Sequence, residues 1–123
     1  MNFSAFACKV RVQSLNERVD GSSNIYLGLV SGVTIPAIEN GQWKKGHGLY
    51  RLNRIVKLSV AETLKGEKLK SLEFHVSWCG GNASLAELGA ELIVYSDKNQ
   101  NWHIVKSEPN IIKLRQELGV KYP

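Results

Sequence analysis

Between residues 52 and 81 the stretch LNRIVKLSVAETLKGEKLKSLEFHVSWCGG alternates apolar and polar side chains with a period of two, and this limits the fold more than any other feature. Val56, Leu58 and Val60 interleave with Lys57, Ser59 and Ala61. After Lys65-Gly66-Glu67, Leu72, Phe74, Val76 and Trp78 interleave with Ser71, Glu73, His75 and Ser77. Successive side chains of an extended chain point to opposite faces, so the spacing predicts two antiparallel strands, each with one face on a core and one in water. The second strand runs out at Cys79, one of only two cysteines.

The flanking segments supply the rest of a mainly β chain. Ser14 and Glu17 have the spacing of a capping box, which predicts a helix over about residues 15–20 with Leu15 and Val19 on its buried face and Gly21 at its end. Residues 24–33, NIYLGLVSGV, read as the first strand; Gly28 and Gly32 inside it predict bulges or strong coiling, and Pro36 ends or edges it. Residues 38–50 carry Asn40-Gly41, Gly46 and Gly48 and form a long connection or hairpin tip, with Trp43 among Lys44, Lys45 and His47 as either a surface anchor or a cover for the sheet. A loop over residues 82–89 leads to a fourth strand over 91–95, and a turn at 97–101 leads to a fifth over 102–105. Pro109 is expected to open a final helix whose stripe is Ile111, Leu114 and Leu118 and whose stop is Gly119. Helix, five strands, helix fits a five-stranded OB-type barrel, with a plain antiparallel sandwich as the alternative.

With 123 residues, 43% hydrophobic and 22% charged, the chain is expected to be one globular domain, and no apolar run is long enough to span a membrane. The net charge of +5 favours anionic partners, but the cations are spread along the chain, so a solvated surface is the preferred reading. An OB module stacking nucleic acid or another polyanion on Trp43, Trp78 and Trp102 is the rival. His47, His75 and His103 fall on three different elements, and no HExxH, CxxC, nucleophile elbow or phosphate-cradling glycine loop occurs. The chain is therefore expected not to be an enzyme and to hold no cofactor or metal of its own.

Cys8 follows Ala5-Phe6-Ala7, the A-x-A form read by signal peptidase, so residues 1–7 are expected to be the remnant of a signal peptide. Seven residues are too few for a complete signal, so the numbering starts inside a longer precursor or the match is chance. In an oxidising compartment Cys8 and Cys79 can form one bridge, closing a loop of about seventy residues and contributing roughly 4 kcal/mol in the chain-entropy picture. In a reducing one they are two buried thiols.

The order of Cys8, a short helix, NIYLGLVSGV, a long connection, RIVKLSVAETLKGEKLKSLEFHV, Cys79-Gly80, ELIVYSD and WHIV resembles the netrin-like OB domain. It is most similar to the inhibitory domain of the tissue inhibitors of metalloproteinases and their bacterial relatives. The most specific matches are Leu64-Lys65-Gly66, Cys79-Gly80, and Gly89 with Leu92-Ile93-Val94-Tyr95, and the resemblance covers residues 8 to 105. It implies that residues 8–123 are a single netrin-like OB domain, secreted or periplasmic, that binds a protein. It further implies a Cys8–Cys79 disulfide, with Cys8 as a processed N-terminus whose amine and carbonyl chelate the zinc of a partner metalloprotease. Lys9 would enter the protease's specificity pocket, and Ser77 and Trp78 would belong to the contact ridge. The chain departs from the vertebrate inhibitors at Val10, where they carry a second cysteine, and at Lys9, where they carry a small hydroxyl residue; their other disulfides have no counterpart. A general interaction domain without inhibitory activity is the alternative within the same resemblance, which implies nothing about oligomeric state.

Overall fold

The computed structural model describes residues 13–42, 53–76, 85–99 and 101–121. In chain order the elements are α1 (Leu15–Gly21), β1 (Asn24–Thr34), α2 (Pro36–Glu39), β2 (Arg54–Lys65), β3 (Ser71–Val76), β4 (Glu91–Ser96), β5 (Trp102–Lys106) and α3 (Asn110–Lys121). The strands form one antiparallel sheet in the order β3-β2-β1-β4-β5. The described residues are thus mainly β, with five strands preceded by the helix α1 and followed by the helix α3, as the periodicity and capping signals predict. The single turn α2, with Pro36 in its first turn, is an addition to that expectation.

The period-two parity sets the core. Val56, Leu58, Phe74, Val76 and Leu92 are buried in one cluster with Tyr26, Val30, Val94 and Ile104, and Val60 and Leu72 pack against it. On the other face of β1 and β4, Ile25, Leu27, Ile93 and Tyr95 meet Val19 of α1 and Ile111, Leu114 and Leu118 of α3. A strand buried on both faces cannot alternate, which is why 91–95 reads as a nearly continuous apolar run.

The pairing of β1 with β2 shifts beside both interior glycines, between Leu27 and Gly28 and between Val30 and Gly32. The second shift resets the side-chain parity, so that Val30 and Val33, three residues apart, face the same cluster. Gly28 also lets two strands approach closely. A Cβ there would collide with the backbone oxygen of Ser59 and lie 2.9 Å from Cγ of Leu58.

The helix ends follow their local chemistry. Oγ of Ser14 accepts from the Glu17 amide at 3.2 Å and Glu17 accepts from the Ser14 amide at 3.4 Å, which completes the capping box. At the other end of α1 the Lys65 ammonium donates to the Val19 carbonyl at 2.9 Å, placing a cation where the helix dipole is negative. Two expectations for α3 are corrected. Pro109 precedes the helix, joined to Glu108 by a cis bond, and the Ile111 amide reaches back to the Ser107 carbonyl. Gly119 does not end it: a terminating glycine takes a left-handed conformation, Gly119 is not among the described glycines that do, and the helix runs on to Lys121. Arg115 of α3 also reaches β2 in an exposed, two-pronged ion pair with Glu62, at 2.7 and 3.0 Å.

The burial pattern gives a direct mutational test. Phe74→Ala is expected to cost about 3–5 kcal/mol through the cavity it opens, while Glu73→Ala, on the solvent parity, should stay within about 0.5 kcal/mol. Gly28→Ala should cost about 1–3 kcal/mol because backbone, not a pliable side chain, blocks the added methyl. Urea unfolding of the three variants measures all of these, and equal losses at Phe74 and Glu73 would refute the assigned faces.

Candidate functional site

The residues singled out by sequence for a protein contact, Cys8, Lys9, Ser77, Trp78 and Cys79, lie outside the described residues, as do Trp43 and His47. The structure places what brackets them. β3 ends at Val76, one residue before Ser77, and the described chain resumes at Leu85. Val76 and Ala86 are both buried in the same core cluster, so residues 77–84 are held at each end by an anchored residue. Arg54, only 8% exposed, pairs with Val76 in the sheet and donates from Nη1 to the Ala86 carbonyl at 3.5 Å. Arg54 therefore neighbours the end of β3 through its backbone and the Ala86 carbonyl through its side chain.

The other bracket is Gln13, five residues after Cys8. It borders a small polar cavity of about 140 Å³ with Arg18, Tyr95, Asp97, Trp102 and His103. The Gln13 carbonyl accepts from Arg18 Nη2 at 3.4 Å, and the Arg18 guanidinium lies 5.4 Å from the centre of the Tyr95 ring, a cation–π geometry. Trp102, at the start of β5, stacks on Phe74 of β3, with ring centres 5.3 Å apart. The cavity thus opens at the corner where the two outer strands of the sheet meet. One face of the Trp102 ring is consequently occupied, and the ring is not a free stacking platform.

His103 pairs with Tyr95 across the sheet and sits on the face covered by α1. Burial, and secondarily the Arg18 charge, push its imidazole down to about 4, so it is neutral at pH 7. Its Nε2 and Nε of Arg18 are buried without hydrogen-bond partners. The nearby carboxylate does not orient the ring: Asp97 accepts from the Asn99 amide at 2.8 Å and from the Asn101 amide and side chain at 3.0 Å each. Those bonds, led by the Asn101 amide, hold its carboxyl below the usual range. The chemistry is that of a joint holding the N-terminal segment against the β4–β5 turn, not of an acid–base pair. Sequence reasoning missed it; the available signal was that His103 shares parity with Val105 and not with Ile104.

Among the described residues no group of three or more His, Cys, Asp or Glu side chains is placed to hold a metal ion, and no helix is long and apolar enough to cross a membrane. Comparison with protein-family models and with curated proteins finds no match to this chain.

His103 makes stability depend on pH with a defined sign. Its folded value lies below the unfolded one, so between about pH 6.5 and 4 the unfolded chain binds a proton that the native chain does not, and stability falls as the pH drops through that window. Above pH 6.5 both states are neutral and the contribution is flat. The lowered carboxyls of Asp97 and Glu62 start from ordinary values of 3.8 and 4.5, so comparing pH 7 with about pH 5.5, in wild type and variant alike, isolates the imidazole. His103→Gln should abolish about 1 kcal/mol of that decline, less than the full shift implies because the ring is partly solvated. An unchanged pH slope in the variant would refute the assignment.

Proposed function

We propose that this chain is a netrin-like OB domain that works outside the cytoplasm by binding a protein, and that the partner class is a zinc metalloprotease engaged through Cys8. The observation that carries the reading is the coiling of the sheet. In register, Phe74 lies opposite Val56, which pairs with Val33 near the end of β1, whereas Trp102 is opposite Ser96, which pairs with Asn24 at its start. Their rings nevertheless stack, so diagonal corners of the sheet are brought together, as the staggered closure of a small five-stranded barrel requires.

The same corner makes a Cys8–Cys79 bridge sterically reasonable. Cys8 is five residues before Gln13 and Cys79 five residues after Phe74, and both Gln13 and Phe74 adjoin Trp102. The arm before Gln13 can extend roughly 17 Å, whereas β3 fixes the chain as far as Val76 and leaves three residues, roughly 10 Å, on the other side. With the bridge formed, the α-amine and carbonyl of Cys8 would be a bidentate nitrogen and oxygen ligand, already ordered, able to displace the water on a partner's zinc. Lys9 would then point into the protease pocket, and Ser77 and Trp78 would extend the contact. The domain itself performs no reaction in this reading.

The test compares a form beginning at Cys8 with one beginning at Met1 against a panel of zinc endopeptidases. A residue ahead of Cys8 converts its amine into an amide, a far poorer ligand, so the first form should inhibit and the second should not. Equal inhibition by both would exclude chelation, and inhibition by neither would exclude this partner class. Alkylation and intact mass under non-reducing conditions check the bridge separately, two free thiols in folded protein being the result that removes it.

A further inference from the structure

A second surface, independent of Cys8, has the features of a docking site. An open cleft of about 580 Å³ lies between the connection leading into β4 and the one leading from β5 to α3. Its apolar part is Leu85, Ala90 and the buried Leu92; its polar part is Glu87, Glu91 and Glu108 against the single cation Lys106. Three carboxylates facing one ammonium make this an acidic spot on a chain whose net charge is +5.

The walls are fixed before any ligand arrives. The turn carrying Glu87 is stitched to β1 by the Gly89 amide donating to Val30 and the Val30 amide donating to Ala90, at 2.8 and 2.9 Å. Ser107, 2% exposed, donates from Oγ to Oε1 of Glu91 at 2.8 Å and from its amide to the Glu91 carbonyl at 3.1 Å. That holds the Glu91 carboxylate through one of its two oxygens. Beside the cleft, on the same turn, Leu88 is a large apolar side chain that is 73% exposed.

We propose that this cleft binds an arginine side chain presented by a peptide segment of a partner protein, with an apolar neighbour of that arginine resting on Leu88. The volume is in the range of small-ligand sites and exceeds one side chain. An arginine stem is apolar and would lie along Leu85 and Ala90, both half-buried, while its planar donor fork matches carboxylates at the rim. A phosphate-bearing partner is disfavoured by the same three glutamates, and the carboxylates are not clustered as a metal site. The inference goes beyond the protease reading and does not require a processed N-terminus.

The experiment uses the full chain, labelled with ¹⁵N, titrated with acetyl-Leu-Arg-amide and, in parallel, with the norleucine and glutamate analogues. Saturating amide shifts confined to Glu87, Ala90, Glu91 and Ser107 are expected with the arginine probe, and binding should weaken by about tenfold or more with norleucine. The Glu87→Gln/Glu108→Gln double variant, both positions exposed, should lose the arginine preference while keeping its thermal midpoint, and added salt should weaken the wild-type interaction. Equal binding of the norleucine or glutamate probe, unaltered preference in the double variant, or no saturable shifts at about 10 mM, where side-chain-sized affinities become visible, would each overturn the proposal.

Discussion

The fold depends on β1 having two partners. It pairs with β2 along its length and with β4 over its first half, and it contributes Tyr26 and Val30 to one core cluster and Ile25 and Leu27 to the other. β4 likewise adds Leu92 and Val94 to one cluster and Ile93 and Tyr95 to the other, but β1 is the central strand that joins the β2–β3 half of the sheet to the β4–β5 half. The bend that lets it do so comes from places where the ladder slips, and Gly28 is where close approach to β2 leaves no room for a side chain. A straight, regular β1 would give a flatter sheet whose corners at Phe74 and Trp102 stayed apart.

The two clusters divide the labour of the outer segments. One lies on a single face of the sheet and is built mostly from strand residues, with Ala86 added from the connection before β4. The other needs α1 and α3 as a cover, and those helices are short, so their attachment matters. Val19 and Leu114 bury completely, Lys65 closes the end of α1, and the Arg115–Glu62 pair guides α3 onto β2. That last pair is exposed and is worth at most about 1 kcal/mol; the apolar stripe, not the ion pair, holds the helix.

Legibility followed the range of the interactions involved. The faces of β2 and β3, the Ser14–Glu17 cap, the Asp97–Asn101 turn and the stripe of α3 were readable because each is fixed by residues two to four apart. Pro109 and Gly119 misled because the Ser107 carbonyl and the burial of Leu118, both set by tertiary packing, decide where α3 begins and ends. His103 was not recognisable as a buried imidazole because its environment comes from α1, some eighty positions earlier, a distance periodicity does not report. The cleft was hidden for the same reason: its walls come from either side of two strands.

Arg54 links the two proposed contact regions. Its sheet partner is Val76, from which the chain runs to Ser77, Trp78 and Cys79, and its guanidinium holds Ala86, the neighbour of both Leu85 and Glu87 in the cleft wall. A buried arginine is costly to place in a core unless its donors are satisfied, and a carbonyl at the end of a connecting loop is a partner that also fixes the loop. Arg54 thus adds one more tie to a cleft wall that the Gly89, Val30 and Ser107 hydrogen bonds already hold. An arginine offered to Glu87 and Glu108 would therefore meet walls that the chain's own hydrogen bonds already hold, so little of the ordering cost of such a contact falls on this side of it.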